Sequence, residues 1–250
     1  MRFADGSYKA AAVVLAGALA LGLATAPLRA PGNPVPPAPG GGAGVSLAML
    51  GGWRTLAADG CWLRAMAAWE RRDAPALQAT LRLTVLADPR PVTFWIQGAR
   101  FLGYDVPAWR LAELAARGPV PAAVRQRIEE EQAQQALRWL DEARIHHPDH
   151  SAVAIEQAGL HLHRRHDWAA AAECYRRAAE LPGAPWFAAR LHGELLRRLG
   201  RHAEAYAWLV RLHPRLPAGD EAAAADLVLA RIRELEVRLG VPPNRAYRAP

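Results

Sequence analysis

Residues 152–185 read AVAIEQAGLHLHRRHDWAAAAECYRRAAELPGAP, and residues 186–219 read WFAARLHGELLRRLGRHAEAYAWLVRLHPRLPAG. The two stretches repeat one another at a spacing of 34: Gly193 follows Gly159, Ala205 follows Ala171, and Leu209 follows Tyr175. Pro148 and Pro182, at the ends of similar segments, are also 34 apart, and Pro217 closes the second copy. A fixed period of this length marks a stack of equivalent supersecondary units. In each unit large and small residues recur at helical spacing in two blocks, Ile155-x-x-Ala158-Gly159-x-x-Leu162 and Ala171-x-x-x-Tyr175-x-x-Ala178 in the first copy. The blocks are separated by breakers, His166-Asp167 in one unit and Gly200-Arg201 in the other. Each unit is therefore a helix hairpin. Gly159, Gly193, Ala171, Ala178 and Ala205 are the positions where two helices would approach closely. Tyr175, Leu209, Leu162 and Leu196 would fill the seam.

This order (large, small-small, large on a first helix; small, aromatic, small on a second; then Pro) resembles the tetratricopeptide repeat (TPR) family. The resemblance implies an all-α fold, a short right-handed α-solenoid of antiparallel hairpins. It is clearest over 152–185 and 186–219. Two looser copies stand upstream. Trp62-x-x-Ala65-Met66-x-x-Trp69 leads to Leu77-x-x-x-Leu81 and Pro89, and Trp95-x-x-Gly98-Ala99-x-x-Leu102 leads to Ala136-x-x-x-Leu140-x-x-Ala143. In the second of these the partner helix is delayed, so an insert is expected at about 103–130, holding a short helix near Ala108–Arg117 and the start of a long polar helix after Pro119 and Pro121. A last periodic element, Asp220 to Leu239, carries Val228, Ile232, Leu235 and Leu239 on one face and resembles the helix that caps such arrays. Asp220 is its expected N-cap. The repeat domain spans 46–240, and 241–250 reads as a flexible tail.

Composition agrees with helices: Ala, Leu and Arg dominate, and β-branched residues are sparse. The net charge of +7 is carried almost wholly by arginine, Lys9 being the only lysine. Arginines alternate with acids, as in Glu70-Arg71-Arg72-Asp73, which is the pattern of a solvated helix face, not of a phosphate track. No nucleic acid is expected as a partner. Cys61 and Cys174 form no CxxC and no metal-ligand spacing, and two apolar thiols are expected. At the N-terminus Arg2 and Lys9 precede the uncharged apolar run Ala10–Ala26. Residues 1–26 read as a signal peptide or an uncleaved transmembrane anchor, with the rest outside the cytoplasm of a bacterial-style envelope. No cysteine near the run suggests a lipoprotein. Residues 27–45, beginning Pro27 and rich in Pro and then Gly, form a linker.

The chain contains no GxSxG, P-loop, HExxH or dinucleotide fingerprint, so no catalytic residue, cofactor or small-molecule substrate is expected. His146 and His150, and His163 and His166, have ligand-like spacing, but Pro148 interrupts the first pair and no third carboxylate is placed beside either. Histidines at helix ends suit the negative end of the dipole. The resemblance implies a concave groove lined by the first helix of each unit, here Arg100, Glu156, Leu160, His163, Phe187, Arg190, Glu194 and Arg197. Family members that clamp a C-terminal carboxylate use Lys and Asn in that groove. This chain departs from them, its asparagines being only Asn33 and Asn244, outside the repeats. The expected function is an envelope-held scaffold that binds a protein partner through the groove. The alternatives are a structural subunit of an envelope assembly using its outer faces or the 103–130 insert, and a His-rich metal-binding protein.

Overall fold

A computed structural model describes residues 43–217 and 219–249, with side chains from residue 52 onward. The expected export segment 1–26 and most of the linker lie outside the described residues. Contacts divide the chain into Met1–Met49 and Leu50–Pro250, and the second unit is the one described below. No described helix is long and apolar enough to cross a membrane.

The described residues are all-helical, without strands. In order they form α1 (Ala43–Glu70), α2 (Ala74–Ala87), α3 (Val92–Arg100), a π turn (Phe101–Asp105), α4 (Val106–Ala115), α5 (Ala122–His146), α6 (Ser151–His163), α7 (Trp168–Glu180), α8 (Trp186–Arg198), α9 (His202–Leu212), a 3-10 turn (His213–Arg215) and α10 (Ala225–Leu239). From α5 on, each helix packs against the next in the chain, and α3 also meets α6.

One kind of turn recurs. Arg72, His166 and Gly200 each take a left-handed backbone, with φ of 55, 51 and 75°. In each case the following amide bonds back into the preceding helix: Asp73 N to Ala68 O at 3.0 Å, Asp167 N to His161 O at 2.9 Å, and Arg201 N to Leu196 O at 2.9 Å. Two of the turns then start the next helix with an aspartate cap. Asp73 accepts from Ala76 N, and Asp167 from Ala170 N. The reversal is thus written as a left-handed residue followed by a cap, and glycine is used at only one of the three.

The segment expected as an insert is helical, with Val106–Ala115 and the start of Ala122–His146 within it. It lengthens both helices of one hairpin. The first helix runs from α3 through the π turn into α4, and its partner α5 is 25 residues long. At the π turn Val106 N–H bonds to Phe101 O, five residues back. Pro107 has no N–H to offer, and the wide turn just before it absorbs the mismatch without ending the helix. Gly103 sits in this turn because a Cβ there would lie 2.5 Å from Leu160 Cδ2.

The core follows the hairpins. Around α1–α6 it is aromatic: Trp62 lies 5.1 Å from Phe94, and Trp95 lies 5.0 Å from Trp139. Both buried indoles are satisfied, Trp139 Nε1 donating to Trp95 O and Trp95 Nε1 to Pro89 O, each at 2.9 Å. Around α6–α8 the core is mainly alanine with Tyr175, Cys174 and Leu195. Around α8–α10 it is leucine-rich. Both cysteines are free.

Three local expectations need correction. Gly159 is not a point of close approach, since an added Cβ would find only Tyr104 Oη at 3.7 Å; Gly98 and Gly103 are such points, and so is Gly193 as expected. Asp220 does not cap α10. Its carboxylate accepts from Ala222 N, and left-handed Ala224 (φ 47°) breaks the path, so α10 begins at Ala225. The intervening turn tucks fully buried Ala223 into the core. Residues 241–249, read as a flexible tail, are fastened to α10: Tyr247 N donates to Glu236, Arg233 donates to Tyr247 O at 2.8 Å, and Tyr247 Oη lies 3.0 Å from His213 Nδ1.

Candidate functional site

On α8, Phe187, Arg190, Glu194 and Arg197 recur at three- and four-residue spacing and so share one stripe. That stripe faces α10, which brings Leu227, Val228 and Arg231 to the other side. Gly193 and Leu209 close the bottom. Together with Leu191 these residues enclose a cleft of about 350 Å³. At the bottom Gly193 lets Leu209 close in, its Cδ2 standing 2.6 Å from where a Cβ would be and Trp208 Cδ1 3.3 Å from it. Phe187 and Leu227 stand exposed at the mouth instead of packing inward.

The charges are uneven. Arg190, Arg197 and Arg231 face the cleft against a single acid, Glu194. Arg197 grips that carboxylate with two hydrogen bonds, at 2.9 and 2.7 Å. Arg198 adds a third at 3.0 Å, and Arg231 stands 3.8 Å away. The hydrogen bonds from Arg197, followed by those from Arg198, hold the Glu194 carboxyl down at about 2. Glu194 is thus saturated and stays anionic. Arg190 has a single hydrogen bond, from Nη2 to Ala222 O at 3.2 Å, and its buried Nε has no partner. Arg231 is itself held by Glu234, its Nη1 lying 2.7 and 2.6 Å from the two carboxylate oxygens, so Arg190 is the cation of the cleft without an acidic partner among the described residues; beside the apolar floor it suits an acidic group carried on an apolar body.

The other four residues expected in the groove lie elsewhere. Arg100 and Glu156 face one another across α3 and α6, with Arg100 Nε 2.9 Å from Glu156 Oε2. Burial pushes the Glu156 carboxyl up, and Arg100 offsets only part of the effect. Leu160 is fully buried over Gly103 and Ala136, so it belongs to the core and not to a groove. His163 is exposed at the end of α6. These residues join the extended hairpin to α6 and are not part of the cleft. Arg231, Leu227 and Val228 were not anticipated as site residues. Their signal was present, Leu227 beside Val228 with Arg231 one turn on, but it reads equally as a capping face.

The histidines mostly serve as local fasteners. His146 stacks on Trp95 at 5.5 Å, His147 Nε2 lies 2.9 Å from Pro89 O, and His150 Nδ1 accepts from Ala152 N. Among the described residues no group of three or more His, Cys, Asp or Glu is placed to hold a metal ion. A wider hollow of about 920 Å³ lies behind α8, walled by the 181–185 loop, Trp186 and Trp208. Trp208 Nε1 is already spent on Ala189 O.

Compared with known protein families, with curated proteins and with solved structures, the chain matches none.

Proposed function

We propose that this chain is a non-catalytic scaffold of the tetratricopeptide type, a short right-handed α-solenoid closed by α10, held at a bacterial envelope by residues 1–26. In this reading it binds a protein partner through the cleft between α8 and α10. The turn shared by Arg72, His166 and Gly200 supports the repeat reading, since three of the four described hairpins use one backbone solution; the extended hairpin turns differently, through Gly118 with φ 145°. The observation that carries the binding reading is the convergence of Phe187, Arg190 and Arg197 with Leu227 and Arg231 on one open cleft. The partner segment is acidic with an apolar anchor: its carboxylate meets Arg190, with Arg231 adding positive potential beside it, and its apolar side chain enters beside Phe187. Such a site, with an apolar centre and charged groups around it, concentrates affinity in a few contacts.

The test is photocross-linking from a benzoyl-phenylalanine placed at Phe187 in the full chain, in cells or in the native membrane fraction. A discrete partner adduct is expected, and it disappears when Arg190→Glu and Arg231→Glu are added. An adduct that survives both reversals, or none from this position while one placed at Arg117 captures a partner, would support instead a structural subunit working through the extended hairpin.

A further inference from the structure

Helix α10 is held unequally on its two sides. It is seated on α9, with Val228, Ile232 and Leu235 buried in the leucine-rich core. Leu227 and Arg231 turn to the cleft. Glu236 stands nine positions after Leu227, which at about 100° per residue is two and a half turns, so the two lie on opposite sides of the helix. Arg233 is on the far side with Glu236. Toward the cleft the hold is light. Among the described residues no hydrogen bond joins α8 to α10, and Arg231 Nε stands 3.8 Å from Glu194. Phe187 and Leu227, both lining the cleft, are 39% and 48% exposed.

On the far side the hold is firm. Left-handed Gly240 (φ 64°) ends α10, and Val241 N bonds back to Glu236 O at 2.9 Å. A second turn, Arg245 N to Pro242 O at 2.8 Å, brings Tyr247 alongside the helix. The buried Glu236 carboxylate collects three donors there: Tyr247 N, Arg233 Nη1 at 2.8 Å and Tyr206 Oη of α9 at 3.2 Å. A buried carboxylate is costly without such donors. Arg233 also donates to Tyr247 O at 2.8 Å, and Tyr247 Oη lies 3.0 Å from His213 Nδ1 in the 3-10 turn. The Tyr247 ring packs on the leucine-rich core. Residues 241–249 therefore tie α10 to α9 and the 3-10 turn from the side away from the cleft.

We propose that residues 241–249 are a strap that holds α10 back from α8 and so keeps the cleft open. Without the strap α10 leans over its seat on α9 until Leu227 meets Phe187. That closure buries two exposed apolar side chains and shortens the approach of Arg231 to Glu194. Tyr247 is a positioning residue for the cleft, although it does not line it. The inference deepens the reading of the cleft as the partner site and rests on it for its consequence, that a chain without the strap offers no entry beside Phe187.

The experiment is hydroxyl-radical footprinting of the purified full chain without partner, read by mass spectrometry, in the parent, Tyr247→Ala, Arg233→Ala and Tyr247→Phe. In the two alanine variants oxidation of Phe187 and Leu227 falls severalfold, while that of the exposed Val237 is unchanged. Tyr247→Phe keeps the ring and the backbone bonds and behaves as the parent. Arg233 is a half-exposed surface side chain whose removal leaves the core intact, so Arg233→Ala carries the test even where Tyr247→Ala does not fold. Unchanged oxidation of Phe187 and Leu227 in the folded variants overturns the strap. Increased oxidation of Leu209 and Val228 also overturns it, because α10 then leaves α9 instead of closing on α8. Photocross-linking from position 187 separates the strap from the partner reading. A partner adduct that persists in Tyr247→Ala, with Leu227 protected, overturns the cleft as the partner site and not the strap. An adduct lost in Arg190→Glu, with footprints unchanged in the alanine variants, overturns the strap alone.

Discussion

Two glycines of this protein press on a leucine at almost the same distance, yet in regions of opposite character. Gly103 lies under Leu160 in the extended hairpin, and Gly193 lies under Leu209 beside the cleft; an added Cβ would meet the leucine at 2.5 and 2.6 Å. Leu160 is enclosed, with Ala136 Cβ 3.4 Å from the same point and no exposed surface. Leu209 is nearly as buried, and Trp208 Cδ1 lies 3.3 Å from its glycine's added Cβ, but Leu209 also borders an opening of about 350 Å³. The same clash therefore means different things. In the first region the space is used up and the hairpin is a girder, whereas in the second a space is left open and the surface is available for binding.

Substitutions sharpen this contrast, and Gly98→Ala has the largest expected effect. Its Cβ would lie 2.9 Å from the Trp139 indole, which cannot yield because Nε1 is bonded to Trp95 O. A loss toward the upper end of the ~1–3 kcal/mol typical of overpacking is expected in urea unfolding. Gly103→Ala should follow within the same range. Gly193→Ala should cost about 1 kcal/mol, the lower end of that range, because Leu209 has the neighbouring cleft to be displaced into; that displacement narrows the cleft and should weaken the Phe187 adduct. Equal losses at 103 and 193 would remove the distinction between the two regions. Gly159→Ala goes the other way. With only Tyr104 Oη at 3.7 Å it should gain about 0.5–1 kcal/mol from the lower entropy of a helical alanine.

The two buried or half-buried acids divide the regions by pH. Glu194, held down at about 2 by Arg197 and Arg198, is lower in the folded than in the unfolded chain. It contributes stability that is present above the ordinary glutamate range and is lost as pH falls toward 2. Glu156 is raised by burial, so folding favours its protonated form, and its contribution declines as pH rises from the ordinary glutamate range through its raised value. Thermal melts of Glu194→Gln should show less acid sensitivity than the parent below pH 4.5. Melts of Glu156→Gln should gain on the parent as pH rises through that window. Parallel pH profiles for the two variants would mean that burial does not separate the sites. The smallest effect is expected for Arg201→Ala, which breaks only the exposed, solvent-screened pair with Glu204 and should leave the thermal midpoint essentially unchanged.

What the sequence determined is what repeats. The period of 34, the breakers at His166-Asp167 and Gly200-Arg201, and the alternation of large and small residues fix helices, turns and their order, because local spacing alone decides which side chains share a helix face. Phe187, Arg190, Glu194 and Arg197 were legible as one stripe for the same reason. Which stripes would meet was not legible. In the 25 delayed residues the short helix and the start of the long polar helix were legible, but not that the first continues α3 without a break, since the π turn at Phe101–Asp105 serves the packing of Gly103 under a residue 57 positions later. Arg231 joined the site, and Leu160 left it, for a comparable reason: one faces α8 and the other is pressed into the core by its neighbours. Local periodicity sets the helices, but the open or filled state of the space between them depends on contacts distant in the chain, and these only the tertiary structure decides.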